Sequence, residues 1–129
     1  MIYGVGTDII EIDRIAAVQA KRPRFLTKIC TSRECEDCRR KGIETLAGKF
    51  AAKEAVAKAL GCGLGAVHWQ EIEICADEAG MPRVFCHGNA RRQMVELGVI
   101  RIHVSISHCR GYATAVAVAE TKEGDQCDY

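Results

Sequence analysis

Three short segments of this chain hold residues whose types and spacing could do chemistry. In the first, Gly4-Val5-Gly6-Thr7-Asp8 places a carboxylate at the end of an apolar, β-branched run. Burying an unpaired carboxylate there would be costly, so Asp8 must cap a turn, face water or meet a counter-charge. The second, Lys49 to Gly61, sets Glu54 four residues before Lys58, on one helical face and in the favourable order. A surface ion pair of that kind contributes a few tenths of a kcal/mol. This pair, however, adjoins the apolar stripe of Phe50 and Ala57, and its helix runs into a turn with Gly61, Gly63 and Gly65. Glycines of that kind let a ligand approach the backbone. The third segment, Val104 to Tyr112, puts Ser105 and Ser107 on one strand face with His108 and Arg110 at a hairpin end, a plausible phosphate cradle. Ser107 and His108 are not a catalytic dyad, because neighbours on a strand point to opposite faces.

These segments need elements to hold them. Met1 to Ile12 reads as a strand, and Asp13 can cap a helix carrying Ile15, Ala16 and Val18 that Pro23 stops. Phe25 to Ile29 is apolar enough to dock, and Ser32 to Gly42 is a polar, charged stretch. Ile43 to Leu60 has the clearest helical period, closed by Gly61. Trp69 to Cys75 alternates as a strand with Ile72 and Ile74 opposite Glu71 and Glu73, and Met81 to His87 returns to form a hairpin. A short amphipathic helix over Asn89 to Leu97 precedes a final hairpin, Arg101 to His108 and Tyr112 to Glu120. Strands and helices mix without strict βαβ alternation, so the class is α+β: one compact domain over 1–120, with a small antiparallel sheet, one long helix and shorter helices. Residues 121–129 have little apolar content and read as a flexible tail.

Composition agrees with this. A chain of 129 residues, 48% hydrophobic and 27% charged, suits a single domain, but only 5% is aromatic, so aliphatic and alanine side chains must fill the core. Small cores of that kind often gain stability by oligomerising. No basic, apolar leader opens the chain and no run could span a bilayer, which argues for a cytoplasmic protein without membrane partners. The eight cysteines, scattered from Cys30 to Cys127, then read as reduced thiols, mostly small buried hydrophobes.

Taken together, the motifs resemble holo-acyl-carrier-protein synthase, the small bacterial type of 4′-phosphopantetheinyl transferase. That family's G-x-G-x-D strand, its helix with F-x-x-K-E-A-x-x-K-A-x-G, and its late S-x-S-H occur in order as Gly4–Asp8, Phe50–Gly61 and Ser105–His108. The turn from Asp77 to Pro82 is similar to its D-E-x-G-x-P connection. Lys49, where the family often has Arg, and Cys62, in place of a Thr, are the departures.

The resemblance implies transfer of phosphopantetheine from coenzyme A to a serine of an apo acyl carrier protein for fatty acid biosynthesis. Asp8 and Glu54 would hold Mg²⁺, with Asp8, Glu54 and Lys58 as the catalytic set. Two carboxylates about 5 Å apart repel by roughly 3 kcal/mol at an effective dielectric near 20, a penalty that a dication reverses. Coenzyme A would lie against Lys49, Lys53, Gly61, Gly63, Gly65, Pro82, Ser107 and His108. The family assembles as homotrimers with active sites shared between neighbouring chains.

A basic stretch supplies the partner surface. Arg14, Lys21, Arg22, Arg24 and Lys28 fall in a segment with no acid between them, around Phe25 and Leu26. Charge would steer an acidic helical partner such as the carrier protein, and the apolar pair would anchor it. Nucleic acid is disfavoured by a net charge of +1 and the lack of a recognition module. The rival reading is a non-catalytic module that binds coenzyme A or a carrier protein, but Asp8, Glu54 and Lys58, whose loss would mark it, are all present. Cys35-x-x-Cys38 has no second pair or nearby His to complete a zinc site. The glycines near residue 63 lack the Gly-Lys-Ser/Thr of a P-loop, and His68, His87 and His103 read as structural.

Overall fold

The computed structural model describes residues 1–122. Strand β1 (Ile2–Glu11) leads into helix α1 (Ile12–Lys21), the short α2 (Phe25–Ile29), α3 (Ser32–Lys41) and the long α4 (Ile43–Ala59). A 3₁₀ turn over Trp69–Glu71 enters β2 (Ile72–Ala76), which pairs antiparallel with β3 (Pro82–Cys86). Helix α5 (Gly88–Leu97) then delivers the chain to β4 (Val99–His108) and β5 (Tyr112–Thr121). The order β1-β5-β4 makes a three-stranded antiparallel sheet, beside the two-stranded β2-β3 ribbon. The α+β class holds, with two small sheets where one was expected. Strand β5 extends through Thr121, and the tail expected beyond 122 lies outside the described residues.

Helix α4 covers the larger sheet on very small side chains. Ala51, Ala52, Ala55 and Ala59 on the helix are buried, and so are Ala113, Ala115, Ala117 and Ala119 along β5. On β1 the approach is closer still. A methyl group at Gly6 would run into the Ala55 carbonyl oxygen and sit 2.7 Å from the Ala59 nitrogen, while one at Gly4 would strike the Ala59 carbonyl. The two glycines are therefore packing residues: without a Cβ, β1 can lie directly on the helix backbone. The other face of the sheet is open, with Val5 57%, Ile9 65% and Tyr112 50% exposed.

Two expectations are corrected here. The polar stretch from Ser32 is helix α3, begun by a capping box in which Thr31 accepts from the Glu34 N–H and Glu34 from the Thr31 N–H. And Trp69 to Glu71 form a 3₁₀ turn, so the strand begins only at Ile72. Within it Glu73 is buried, accepts a hydrogen bond from Thr31 Oγ1 and pairs with His87 at 3.3 Å. Helix α1 starts at Ile12 after Glu11, two residues earlier than an Asp13 cap would require. All described cysteines are free thiols, with Cys30, Cys35, Cys38 and Cys75 buried.

Candidate active site

Alternation along β1 puts Asp8 on the same face as Gly4 and Gly6, toward α4. The close glycine contact is what brings that strand end to Glu54 and Lys58, one helical turn apart on α4. Lys58 Nζ lies 3.6 Å from Asp8 Oδ1 and donates a 2.9 Å hydrogen bond to the Thr7 carbonyl. Half-burial pushes the Glu54 carboxyl above its ordinary range, the Asp8 charge raises it further, and Lys58 offsets part of the rise.

A carboxylate held up by burial beside a second carboxylate is a site short of positive charge. Its hard oxygen donors fit a hard dication. Among the described residues no group of three or more His, Cys, Asp or Glu side chains could hold a metal. Two carboxylates, Asp8 and Glu54, would leave other positions to phosphate oxygens and water, which is how Mg²⁺ is ordinarily bound.

From these carboxylates a cavity of about 380 Å³ runs past Phe50 to Arg14 and Phe25. Phe25 also lines a neighbouring groove of about 330 Å³, with Arg22, Arg24, Lys28 and Trp69. Phe50 stacks on Trp69 at 4.8 Å, and Phe25 tilts against Phe50 at 6.1 Å. The basic stretch and the carboxylates are thus joined by an aromatic wall. Sequence reasoning missed Trp69 because a lone Trp at a strand start carries no signal. Lys21 ends α1 exposed and lines neither cavity.

The remaining expected residues sit elsewhere. Lys49, Pro82 and His108 line a separate cavity of about 160 Å³, with Asp37, Thr45 and Ile106. Thr45 and Glu54 are nine residues apart, about two and a half helical turns, so this cavity flanks the opposite side of α4. Ser107 is exposed, and strand alternation turns it away from His108, toward the open face of the sheet. Gly61 has φ +72° and ends the helix as expected, but no described cavity includes it, Gly63 or Gly65.

Lys53 requires a correction. It is fully buried, its Nζ 2.8 Å from Glu34 Oε1 and donating to the Trp69 carbonyl at 2.9 Å and to the Ile72 carbonyl. Glu34 in turn accepts from the Thr31 and Ile74 N–H groups, both at 3.0 Å. The ammonium ties α3, α4 and β2 together and has no surface left for a substrate. Lys49 is nearly as enclosed, paired with Asp37 at 3.3 Å and bonded to the Ile74 carbonyl.

Comparison with known proteins gives a consistent picture. The family model of the 4′-phosphopantetheinyl transferase superfamily matches residues 4–117. The holo-[acyl-carrier-protein] synthase of Moorella thermoacetica is 47% identical over 123 residues, covering 94% of this chain and 96% of that protein. The crystal structure of the Neisseria meningitidis synthase superposes with a TM-score of 0.87 at 38% identity, covering 94% of this chain and all of that one. A Bacillus anthracis synthase solved in complex with CoA (3′,5′-ADP) gives 0.78 at 36% identity, covering 95% and 99%. Sequence and architecture agree along nearly the whole length: the chain belongs to the holo-[acyl-carrier-protein] synthase family of the 4′-phosphopantetheinyl transferase superfamily.

Proposed function

We propose that this chain transfers the 4′-phosphopantetheine group of coenzyme A to a serine of apo acyl carrier protein, giving the holo protein and 3′,5′-ADP. The observation that carries this reading is the convergence of Asp8, Glu54 and Lys58 at the end of a cavity leading to a basic, aromatic surface. In the reaction the serine oxygen bonds to the phosphorus of the pantetheine phosphate, and the pyrophosphate P–O bond to 3′,5′-ADP breaks. Glu54 is the candidate acceptor for the serine proton, since a carboxylate raised by burial is a better base at neutral pH. Lys58 neutralises charge on the departing phosphate. Asp8 and Glu54 would hold Mg²⁺, which supplies Lewis-acid stabilisation of the phosphoryl oxygens when bound.

Arg14, Arg22, Arg24 and Phe25 form the surface for the carrier protein, with Lys21 adding charge at its margin. Lys49, Pro82 and His108 form the half-site for the nucleotide, with Ser107, Gly61, Gly63 and Gly65 as further contacts. Because that half-site and the carboxylates flank opposite sides of α4, a complete site is most simply made between neighbouring copies. The open, apolar face with Val5, Ile9, Tyr112 and Val116 supports a homotrimer. A cytoplasmic role in fatty acid biosynthesis fits the free thiols. No helix among the described residues is long and apolar enough to cross a membrane.

The test is intact-mass analysis of apo acyl carrier protein after incubation with this protein, coenzyme A and Mg²⁺. A phosphopantetheine mass gain that needs metal, and that Asp8→Ala or Glu54→Ala removes, is expected. No gain with any of several carrier proteins would leave a binding module on the same scaffold.

A further inference from the structure

The largest of the described cavities shares no lining residue with either half-site. About 710 Å³ in volume, it opens between α5 and the β3 and β4 strands. Its floor is aliphatic, with Val84, Met94 and Ile102, and its rim exposes Phe85 (43%), Val95 (72%) and Ile100 (48%). Phe85 belongs to β3, Val95 to α5 and Ile100 to β4, and Arg33 lies over the Phe85 ring at 5.7 Å.

The polar part of the lining has one sign. Arg83, Arg91 and Arg101 contribute to it, His87 lies alongside paired with Glu73 at 3.3 Å, and no carboxylate lines it. Arg83 is held by Asp77 at 3.0 Å and Arg101 by Glu120 at a loose 4.0 Å. Arg91 makes no ion pair among the described residues, and its charge is felt at the Cys86 thiol in the cavity wall. A guanidinium presents a planar fork suited to a carboxylate or phosphate. Small-molecule sites have this make-up: a concavity of roughly 300–1,000 Å³, mostly apolar, with a few convergent polar groups.

We propose that this groove binds a single-chain anionic amphiphile, a long-chain alkyl carboxylate, with its head group on Arg91 between Arg83 and Arg101. The alkyl chain lies along Met94, Val95, Ile100 and Ile102. Charge selects the head group, and apolar burial makes affinity depend on chain length. A second acidic protein is a poorer occupant, because the apolar part is a concave slot between a helix and two strands rather than a broad face.

The experiment is calorimetric titration of the full chain with octanoate, decanoate and dodecanoate, below micelle-forming concentrations. Saturable one-to-one binding is expected, tightening several-fold for each two methylenes added. Arg91→Gln should weaken dodecanoate binding about tenfold, and Val95→Asp should abolish it. Both variants should keep full phosphopantetheine transfer, which also reports that they fold. Equal binding of dodecanol, or of dodecyltrimethylammonium, would overturn the assignment. So would binding that neither variant changes, or no saturable binding at all. A fall in oligomer mass on Val95→Asp, read by light scattering, would make the groove an interface between copies and likewise overturn it.

Discussion

Glu54 concentrates the tension between stability and activity at one side chain. Its folded-state carboxyl titrates above its ordinary range, so folding disfavours the ionised form. The resulting penalty is absent below the unfolded-state value, grows as pH rises through the raised folded-state value, and is complete above it. Glu54→Gln should therefore stabilise the protein near pH 7, on the order of 1 kcal/mol or a few °C, and do nothing at pH 4. Thermal unfolding at the two pH values checks the sign, and equal shifts at both would count against it. Transfer by the same variant should drop at least a hundredfold. Wild-type activity should fall as pH is lowered through the raised Glu54 value. Of the three lysines in this helix, all expected at the site, Lys58 lies beside Asp8 at 3.6 Å whereas Lys53 is fully buried. Lys49 and Lys53 are four apart and share a face, while Lys58 is turned well away from it. One sequence does not say which of those faces meets the core; the buried partner Glu34, nineteen residues earlier, decides it.

At the scale of elements, the strand-on-helix contact between β1 and α4 sets the position of Asp8. Gly6→Ala would force the two apart and cost about 1–3 kcal/mol as overpacking. It should also lower transfer more than stability alone explains, since Asp8 moves with the strand. Denaturant unfolding and the mass assay, run together, separate the two effects. A variant with wild-type stability and activity would refute the packing role. Long periodic elements were legible: α4 falls within one residue of the expected bounds and the closing hairpin within two. Helix α3 was not, because Ser32 to Lys41 alternates charges without an apolar stripe, and its buried residues are Glu34, Cys35 and Cys38. The Thr31–Glu34 capping box was its readable signal. The pairing of Thr31 with Glu73 was beyond reach, since it depends on how β2 packs against α3.

For the whole molecule, the proposed division of the site between neighbouring copies would tie activity to assembly. Val5→Asp puts a charge on the open sheet face, where the single chain tolerates it because that side chain is 57% exposed. It should reduce the oligomer to monomers in light scattering and depress transfer at least tenfold, with folding retained by circular dichroism. Full turnover by a demonstrated monomer would sink the shared site. The sequence named both groups of residues but not their separation, which arises from which flank of α4 each one meets.

One feature of the larger sheet bears on how the protein is made. Among the described residues, strand β1 has only β5 as its partner: Gly6 pairs with Ala117, Ile10 with Ala113, and the Met1 ammonium donates to the Thr121 carbonyl at 2.9 Å. Strand β1 thus waits for β5, at the far end of the described residues. Throughout synthesis the alanine face of α4 has no β5 to cover it, and closing so long a loop carries an entropic cost that nearby contacts do not offset. Asp8 can reach its place beside Glu54 only when the strand carrying it docks. The nascent chain should therefore stay without its active site until residue 121 has emerged, exposed to chaperones for most of its translation.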